Sequence, residues 1–309
     1  MPLPSSNPFL DAALALDRVK YARKVMGLQL YDWQIAILTS DRKRKVVDAS
    51  RQAGKSSVVA PVATHTAKFR RGSLTIIQAS TLQQASWDMS KIKNCIGNDP
   101  TYPALKRESD SLIELENGSR IEVIPATEKS AQGASAPAVI ILDEASDIDD
   151  EVVSAGVVPM LTNNPECEFI LISTPHGRSG FFFRSFSLPQ MKVADRFKWE
   201  RFFVRSPWTP TSITELERSV SEEELKADYA KRGIRAWYSP RHMNYEEQIE
   251  QLFISGTRLY LQEHCAAFVE PESMVFSYDD IKRAFDRGEE ASPLMQEIRI
   301  EELDGLESF

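Results

Sequence analysis

Four short runs with adjacent aliphatic residues at their centres constrain this chain more than anything else in it: KVVDAS (45–50), LTIIQAS (74–80), AVIILDE (138–144) and EFILIST (168–174). A strand with one face in water alternates apolar and polar residues. A strand that is apolar at nearly every position is buried on both faces, as when helices cover a parallel sheet from both sides. Helical periodicity falls between or after these runs, over 55–69, 82–96 and 151–161. SLIELENGSRIEVIPA (111–126) reads instead as a β-hairpin turning at Glu116-Asn117-Gly118. The expected class is therefore α/β, a mostly parallel sheet sandwiched by helices, with the hairpin as an antiparallel addition. Before it, Leu10, Ala13, Leu14, Leu16, Val19, Ala22 and Met26 carry the spacing of one amphipathic helix over 10–26.

Beyond about residue 205 the pattern changes. SPWTPTS (206–212) is a Pro/Ser/Thr-rich connector. The segments ITELERSV, SEEELKADYAKR, NYEEQIEQLF and TRLYLQEHCAAF that follow are polar and helical in character. The expected organisation is an N-terminal helical extension (1–27), an α/β core (28–205), a small mainly helical subdomain (206–285) and an acidic tail (286–309).

Composition bounds the function classes. The net charge of −8 argues against tight, static nucleic-acid binding but leaves room for transient grip through a local basic patch such as RKRK (42–45). No apolar run approaches the roughly 20 residues of a membrane span. The opening MPLPSSNPFLDAALALDRVK lacks a basic stretch followed by an apolar core, so no signal peptide is expected. Cys95, Cys167 and Cys265 are far apart and odd in number, which fits free thiols better than a disulfide or thiolate metal framework.

The first aliphatic run leads into DASRQAGKSS (48–57), which then opens a helix. This strand–loop–helix context is what a phosphate-binding loop needs. Gly54 lets the backbone approach an anion, and the amides around Ala53, Gly54 and Lys55 together with the helix N-terminus favour phosphate. Lys55 has the reach for β- and γ-phosphates, Ser56 a hydroxyl for Mg²⁺, and Gln52 and Ser57 flank them. Arg51 adds a second cation, whereas the position where a Gly is usual holds Ala49. The third run ends in Asp143 and Glu144: the first can hold Mg²⁺ through water, the second can polarise an attacking water as general base. The fourth ends in Ser173-Thr174-Pro175, hydroxyls able to link a γ-phosphate site to other segments. In LYDWQ (30–34), Tyr31 or Trp33 can stack on adenine and Gln34 can read its edge. The sum is a nucleotide hydrolase using ATP and Mg²⁺. Pro61, inside the helix after the loop, predicts a kink.

Together these residues resemble the ATPase half of a tailed-bacteriophage terminase large subunit, the motor that packages phage DNA. The resemblance spans roughly 28–285 and rests on LYDWQ, SRQAGKS, TAKFRRGS, IIQASTLQQA, NGSRI, ILDEAS, ISTPHGRSGFFF and LQEHCAAFVEPESMVFSYDDI. It implies an ASCE/RecA-like P-loop fold, with Lys55 and Ser56 on phosphate and Mg²⁺, Arg51 sensing or stabilising the γ-phosphate, and Asp143 as metal-associated acid. It further implies Glu144 as catalytic glutamate, Ser173 to Pro175 as coupling motif and Gln34 in adenine binding. Expected partners are double-stranded DNA gripped without regard to sequence, a portal protein, a small terminase subunit and further copies of this chain in a ring. The expected location is the bacterial host cytoplasm, transiently on the procapsid portal, with no membrane association.

Two departures matter. Where this family often has Arg-Gly, this chain has Gln132-Gly133, and a neutral amide cannot act as an arginine finger. Arg51 is the expected replacement, with Lys129 and Arg120 as other candidates. Second, only residues 282–309 follow SYDDI, and their acids read as a solvated stretch, so no nuclease is expected in this chain. Either the chain is a piece of a longer protein or the nuclease lies on another polypeptide. Two rival readings are a superfamily 2 helicase-like motor, which would need a second RecA-like domain, and a portal-docking subunit that binds ATP without using Glu144. Arg178 and Arg184, just past the coupling motif, are candidate DNA contacts.

Overall fold

The structure, a computed structural model, describes residues 8–126, 136–188, 198–240 and 244–270. It opens with helices α1 (Pro8–Ala15), α2 (Arg18–Lys24) and α3 (Asp32–Thr39), then β1 (Arg44–Ala49), α4 (Ser56–Phe69), β2 (Leu74–Ala79) and α5 (Leu82–Gly97). Next come β3 (Leu105–Glu108), β4 (Leu112–Leu115), β5 (Arg120–Pro125), β6 (Val139–Asp143), α6 (Asp150–Val152), α7 (Val158–Asn163), β7 (Glu168–Ser173) and α8 (Gly180–Ser187). The remainder comprises β8 (Trp199–Arg205), β9 (Trp208–Ser212), β10 (Glu215–Arg218), α9 (Glu222–Ala230), β11 (Ile234–Tyr238) and α10 (Tyr245–Glu263).

Among the described residues nine strands form one sheet in the order β11-β8-β1-β7-β6-β2-β5-β4-β3. All its pairings are parallel except β5–β4 and β4–β3, the hairpin side. β1, β2, β6 and β7 correspond to the four aliphatic runs. Successive side chains point to opposite faces of a strand, and here each face has its own core. Val47, Ile77, Ile141 and Ile172 pack with Trp33, Val58, Val62 and Met89 from α3, α4 and α5. Val46, Ile76, Ile140 and Leu171 pack on the other side with Val152, Met160, Phe182, Phe186 and Leu225. β9 and β10 form a separate antiparallel ribbon against α10.

Several local expectations need correction. The single helix expected over 10–26 is two, α1 and α2, because Asp17 turns into an N-cap and accepts a hydrogen bond from Lys20 N at 2.8 Å. The helix expected at 151–161 is α6 and α7 joined by a π-helical turn over Val153–Val157. Residues 206–240 are not mainly helical: ITELERSV supplies β10, and IRAWY becomes β11, which lengthens the main sheet by pairing with β8. Its alternation of buried Ile234 and Ala236 with exposed Arg235 is a strand period. α9 and α10 are helical as expected, each started by a capping box, Ser221 with Glu224 and Asn244 with Glu247. Cys95, Cys167 and Cys265 are buried free thiols.

The basic run RKRK is largely structural. Lys45, 1% exposed, sits 2.6 Å from Glu168 Oε1, and Arg18 reaches Glu168 Oε2 at 2.7 Å. Arg44 donates to Cys167 O at 2.8 Å. Burial raises the Glu168 carboxyl, but Arg18 and Lys45 outweigh it and hold the group at about 2.

Candidate nucleotide-binding site

In an open parallel sheet, ligands bind beyond the carboxyl ends of the strands. Those ends are aligned here: Asp48 of β1 lies beside Ser173 of β7, and Asp143 of β6 beside Ile172 of β7 and Ala79 of β2. The loop after β1, the acids after β6 and the hydroxyls after β7 therefore converge on one small region, although they are far apart in sequence.

The loop 50–55 has a tightly fixed backbone. Ser50 N donates to Val204 O at 2.8 Å, Arg51 N to Glu263 O at 2.7 Å and Ala53 N to Ser50 O at 3.3 Å. Gln52 adopts φ 60° and Gly54 φ 92°, both left-handed. Gly54 is required on two counts, since a Cβ there would also stand 3.0 Å from Gln34 Nε2. Ala53 is fully buried, Ser56 begins α4, and Ser57 is exposed in its first turn.

Lys55 is the centre of the arrangement. Its Nζ lies 3.5 Å from Glu144 Oε2 and donates to Thr174 Oγ1. Glu144 follows β6 in a left-handed conformation, φ 51° and ψ 48°, which turns its side chain off the strand line; such backbone strain in non-glycine residues clusters at functional sites. The β6 and β7 ends are stitched together by hydroxyls. Ser146 N donates to Ser173 Oγ at 3.1 Å, Ser146 Oγ donates to Thr174 O at 2.6 Å, and Ser173 Oγ reaches Glu144 Oε2 at 3.5 Å.

Asp143 is 1% exposed. Its Oδ2 accepts from Gln84 Nε2 at 3.2 Å, its buried Oδ1 takes no N–H donor, and the group shares a hydrogen bond with the Asp88 carboxyl. The donor set, the Asp143 carboxylate with the Ser56 hydroxyl, suits Mg²⁺, which takes one or two carboxylates or hydroxyls and leaves the rest of its shell to water and phosphate. Among the described residues no group of three or more His, Cys, Asp or Glu could hold a metal on its own. Asp88, also 1% exposed, adjoins Asp143; burial and then that neighbour raise its carboxyl to about 7.

Gln34 is 1% exposed and bridges two segments: its Oε1 accepts from Tyr31 N at 2.8 Å and its Nε2 donates to Gly54 O at 2.9 Å. The residue expected at the adenine edge thus also fastens the loop, with Tyr31 beside Gly54. Arg51, two-thirds exposed, pairs with Glu263, the last residue of α10. Arg120 lies beside Leu74 at the amino ends of the strands, opposite the loop, and pairs with Glu122 at 3.6 Å. Lys129 and Gln132 lie outside the described residues. Arg184 is engaged by Asp150 at 2.7 Å.

Sequence reasoning missed Gln84, Asp88, Ser146, Glu263 and the contact of His176 with Asp147. Gln84 and Glu263 fall within segments that carry the family resemblance, LQQA and LQEHC, yet no spacing rule assigns them a task.

β7 lies between the strand that carries the phosphate-type loop and the strand that ends in the acid pair. That extra strand, within a mostly parallel α/β sheet flanked by helices, is the strand order expected of the ASCE/RecA-like fold. Among solved structures the fold matches large-terminase ATPase domains. The Thermus phage P74-26 large terminase ATPase domain aligns with a TM-score of 0.58 at 20% identity, over 80% of this chain and 97% of that one. The HK97 bacteriophage large terminase aligns with a TM-score of 0.51 at 12% identity, over 91% of this chain and 53% of that one. The large terminase of a thermophilic bacteriophage, in complex with ADP, aligns with a TM-score of 0.51 at 10% identity, over 78% of this chain and 54% of that one. No protein-family model matches the sequence.

Proposed function

We propose that this chain is the ATPase of a viral DNA-packaging motor, hydrolysing ATP to drive double-stranded DNA into a procapsid. The observation that carries the proposal is the meeting of Lys55, Glu144 and Thr174 at the carboxyl end of a sheet with the large-terminase ATPase fold. The ADP held by the terminase of the thermophilic bacteriophage supports nucleotide as the ligand of that site.

ATP would lie over the loop, its phosphates on the backbone around Gln52 to Lys55 and on Ser57, its base near Tyr31 and Gln34. Ser56, directly, and Asp143, through water, would hold a Mg²⁺ bound with the nucleotide, which would supply neutralisation of phosphate charge. Lys55 would exchange Glu144 for the γ-phosphate, which frees Glu144 to orient water for in-line attack. Arg51 would stabilise the γ-phosphate in the chain's own site, in place of the finger that Gln132 cannot provide. Ser173 and Thr174, tied to Ser146 and Lys55, would pass the loss of phosphate to the rest of the domain. Assembled as a ring on a portal with a small terminase subunit, in the host cytoplasm, such shifts would move DNA through phosphate contacts.

The test is phosphate release measured with and without double-stranded DNA over a range of protein concentrations. Turnover rising with DNA and with concentration supports a ring-forming motor. Nucleotide binding with no turnover under any condition would leave a docking subunit instead, and strand separation would point to a helicase.

A further inference from the structure

We infer that Gln84 is a positioning residue for Asp143, fixing that carboxylate so that its other oxygen is presented to the metal of a metal–nucleotide complex. The inference rests on the ATPase reading above and adds a residue to which no role has been given.

The geometry is specific. Asp143 ends β6 at 1% exposure, so its side chain cannot be oriented by bulk water. One oxygen, Oδ2, accepts from Gln84 Nε2 at 3.2 Å; the other, Oδ1, takes no N–H donor, and the group also shares a hydrogen bond with the adjoining Asp88 carboxyl. Gln84 is itself fixed at its backbone. Its backbone N–H donates to Thr81 Oγ1, the N-cap of α5, at 3.1 Å, and the helix is anchored below it by buried Ala85, Met89 and Ile92. A hydrogen bond from the helix start, beside the Asp88 carboxyl, therefore helps set the plane of a buried carboxylate.

The choice of an amide has a chemical consequence. Lys or Arg at this place would also orient Asp143, but would cancel its charge. A neutral donor holds the carboxylate and leaves its full negative charge for a cation. Outer-shell hydrogen bonds of this kind orient metal ligands, and their loss commonly costs about 10- to 100-fold in metal affinity.

The experiment uses the full chain and Mn²⁺ as the probe, read by electron paramagnetic resonance in the presence of ADP. ADP binding in EDTA is measured in parallel. Gln84→Leu and Gln84→Met both remove the donor with different packing, and Gln83→Ala, on the exposed side of the same turn, is the control. The expected result is Mn²⁺ affinity about 10-fold weaker in both Gln84 variants, with ADP affinity in EDTA unchanged and Gln83→Ala like the parent. Mn²⁺ affinity within twofold of the parent in both variants would overturn the inference. So would a matching loss of ADP affinity in EDTA, which would make Gln84 a general support of the pocket. If the parent chain binds neither ADP nor Mn²⁺ with ADP, the ATPase reading fails first, and the inference with it.

Discussion

Gln34 and Gly54 are locked to each other: the Gln34 amide donates to Gly54 O at 2.9 Å, and a Cβ on Gly54 would stand 3.0 Å from that same amide nitrogen. A segment 20 residues upstream thereby holds the loop at the residue whose φ of 92° admits little but glycine. Gly54→Ala should cost about 1–3 kcal/mol from backbone strain alone, read as a lower urea midpoint, and should weaken nucleotide binding further. Gln34→Ala should leave the fold intact and still loosen ATP binding. Unchanged nucleotide affinity in both variants would break the link between the two residues and the site.

Arg51 and Glu263 form the second long-range link, between the loop and the end of α10. A γ-phosphate and the Glu263 carboxylate would compete for the same guanidinium. Glu263→Gln leaves the backbone bond from Arg51 N to Glu263 O in place and removes only the competitor. ATP affinity should rise severalfold with ADP affinity unchanged, and the gain should vanish in Glu263→Gln combined with Arg51→Ala, which a double-mutant cycle resolves. Equal effects on ATP and ADP would show that Arg51 does not read the γ-phosphate.

The buried Arg18–Glu168–Lys45 cluster predicts acid behaviour. Glu168 is held at about 2, below its ordinary 4.5. A depressed carboxylate contributes stability that is fully present above pH 4.5 and is lost as pH falls toward 2. Glu168→Gln should cost roughly 3–5 kcal/mol at neutral pH, since it strands two buried cations, and should flatten the stability profile across that acid range. Chemical denaturation at about pH 3 and about pH 7 checks both.

Asp48 behaves in the opposite sense. It is fully buried in β1, both its oxygens lack hydrogen-bond partners, and burial pushes its carboxyl well above 3.8 despite Lys55. A raised acid lowers stability as pH climbs above 3.8, because the unfolded chain releases a proton that the folded chain keeps. Asp48→Asn, close in shape and always neutral, should therefore match or exceed the parent's stability at neutral pH. A clear loss would mean that the ionised carboxylate is needed.

The central sheet was legible because the adjacent pairs Val46-Val47, Ile76-Ile77, Ile140-Ile141 and Leu171-Ile172 put apolar residues on both faces of their strands, and few arrangements bury both sides of a strand. The site was legible in part for the same reason: strand ends in a parallel sheet must gather at one edge. The edges of the domain were less so. β8 carries Glu200 and Arg201 amid aromatics, and IRAWY is too short for its period to stand out, so the extension of the sheet beyond β1 did not show. The break at Leu16–Asp17 left no trace in the apolar spacing, since α1 and α2 bury the same kinds of residue. Gln84 and Glu263 act through distance and orientation, which the sequence does not encode locally.

The most direct test concerns Lys55 and Glu144, 3.5 Å apart at the meeting of loop and acid pair. ATP binding and single-turnover phosphate release are compared in the parent and Glu144→Gln. The account predicts that the variant binds ATP at least as tightly as the parent while phosphate release falls by a factor on the order of 10²–10⁴, the typical contribution of a general base. Phosphate release by Glu144→Gln at the parent's rate would contradict it.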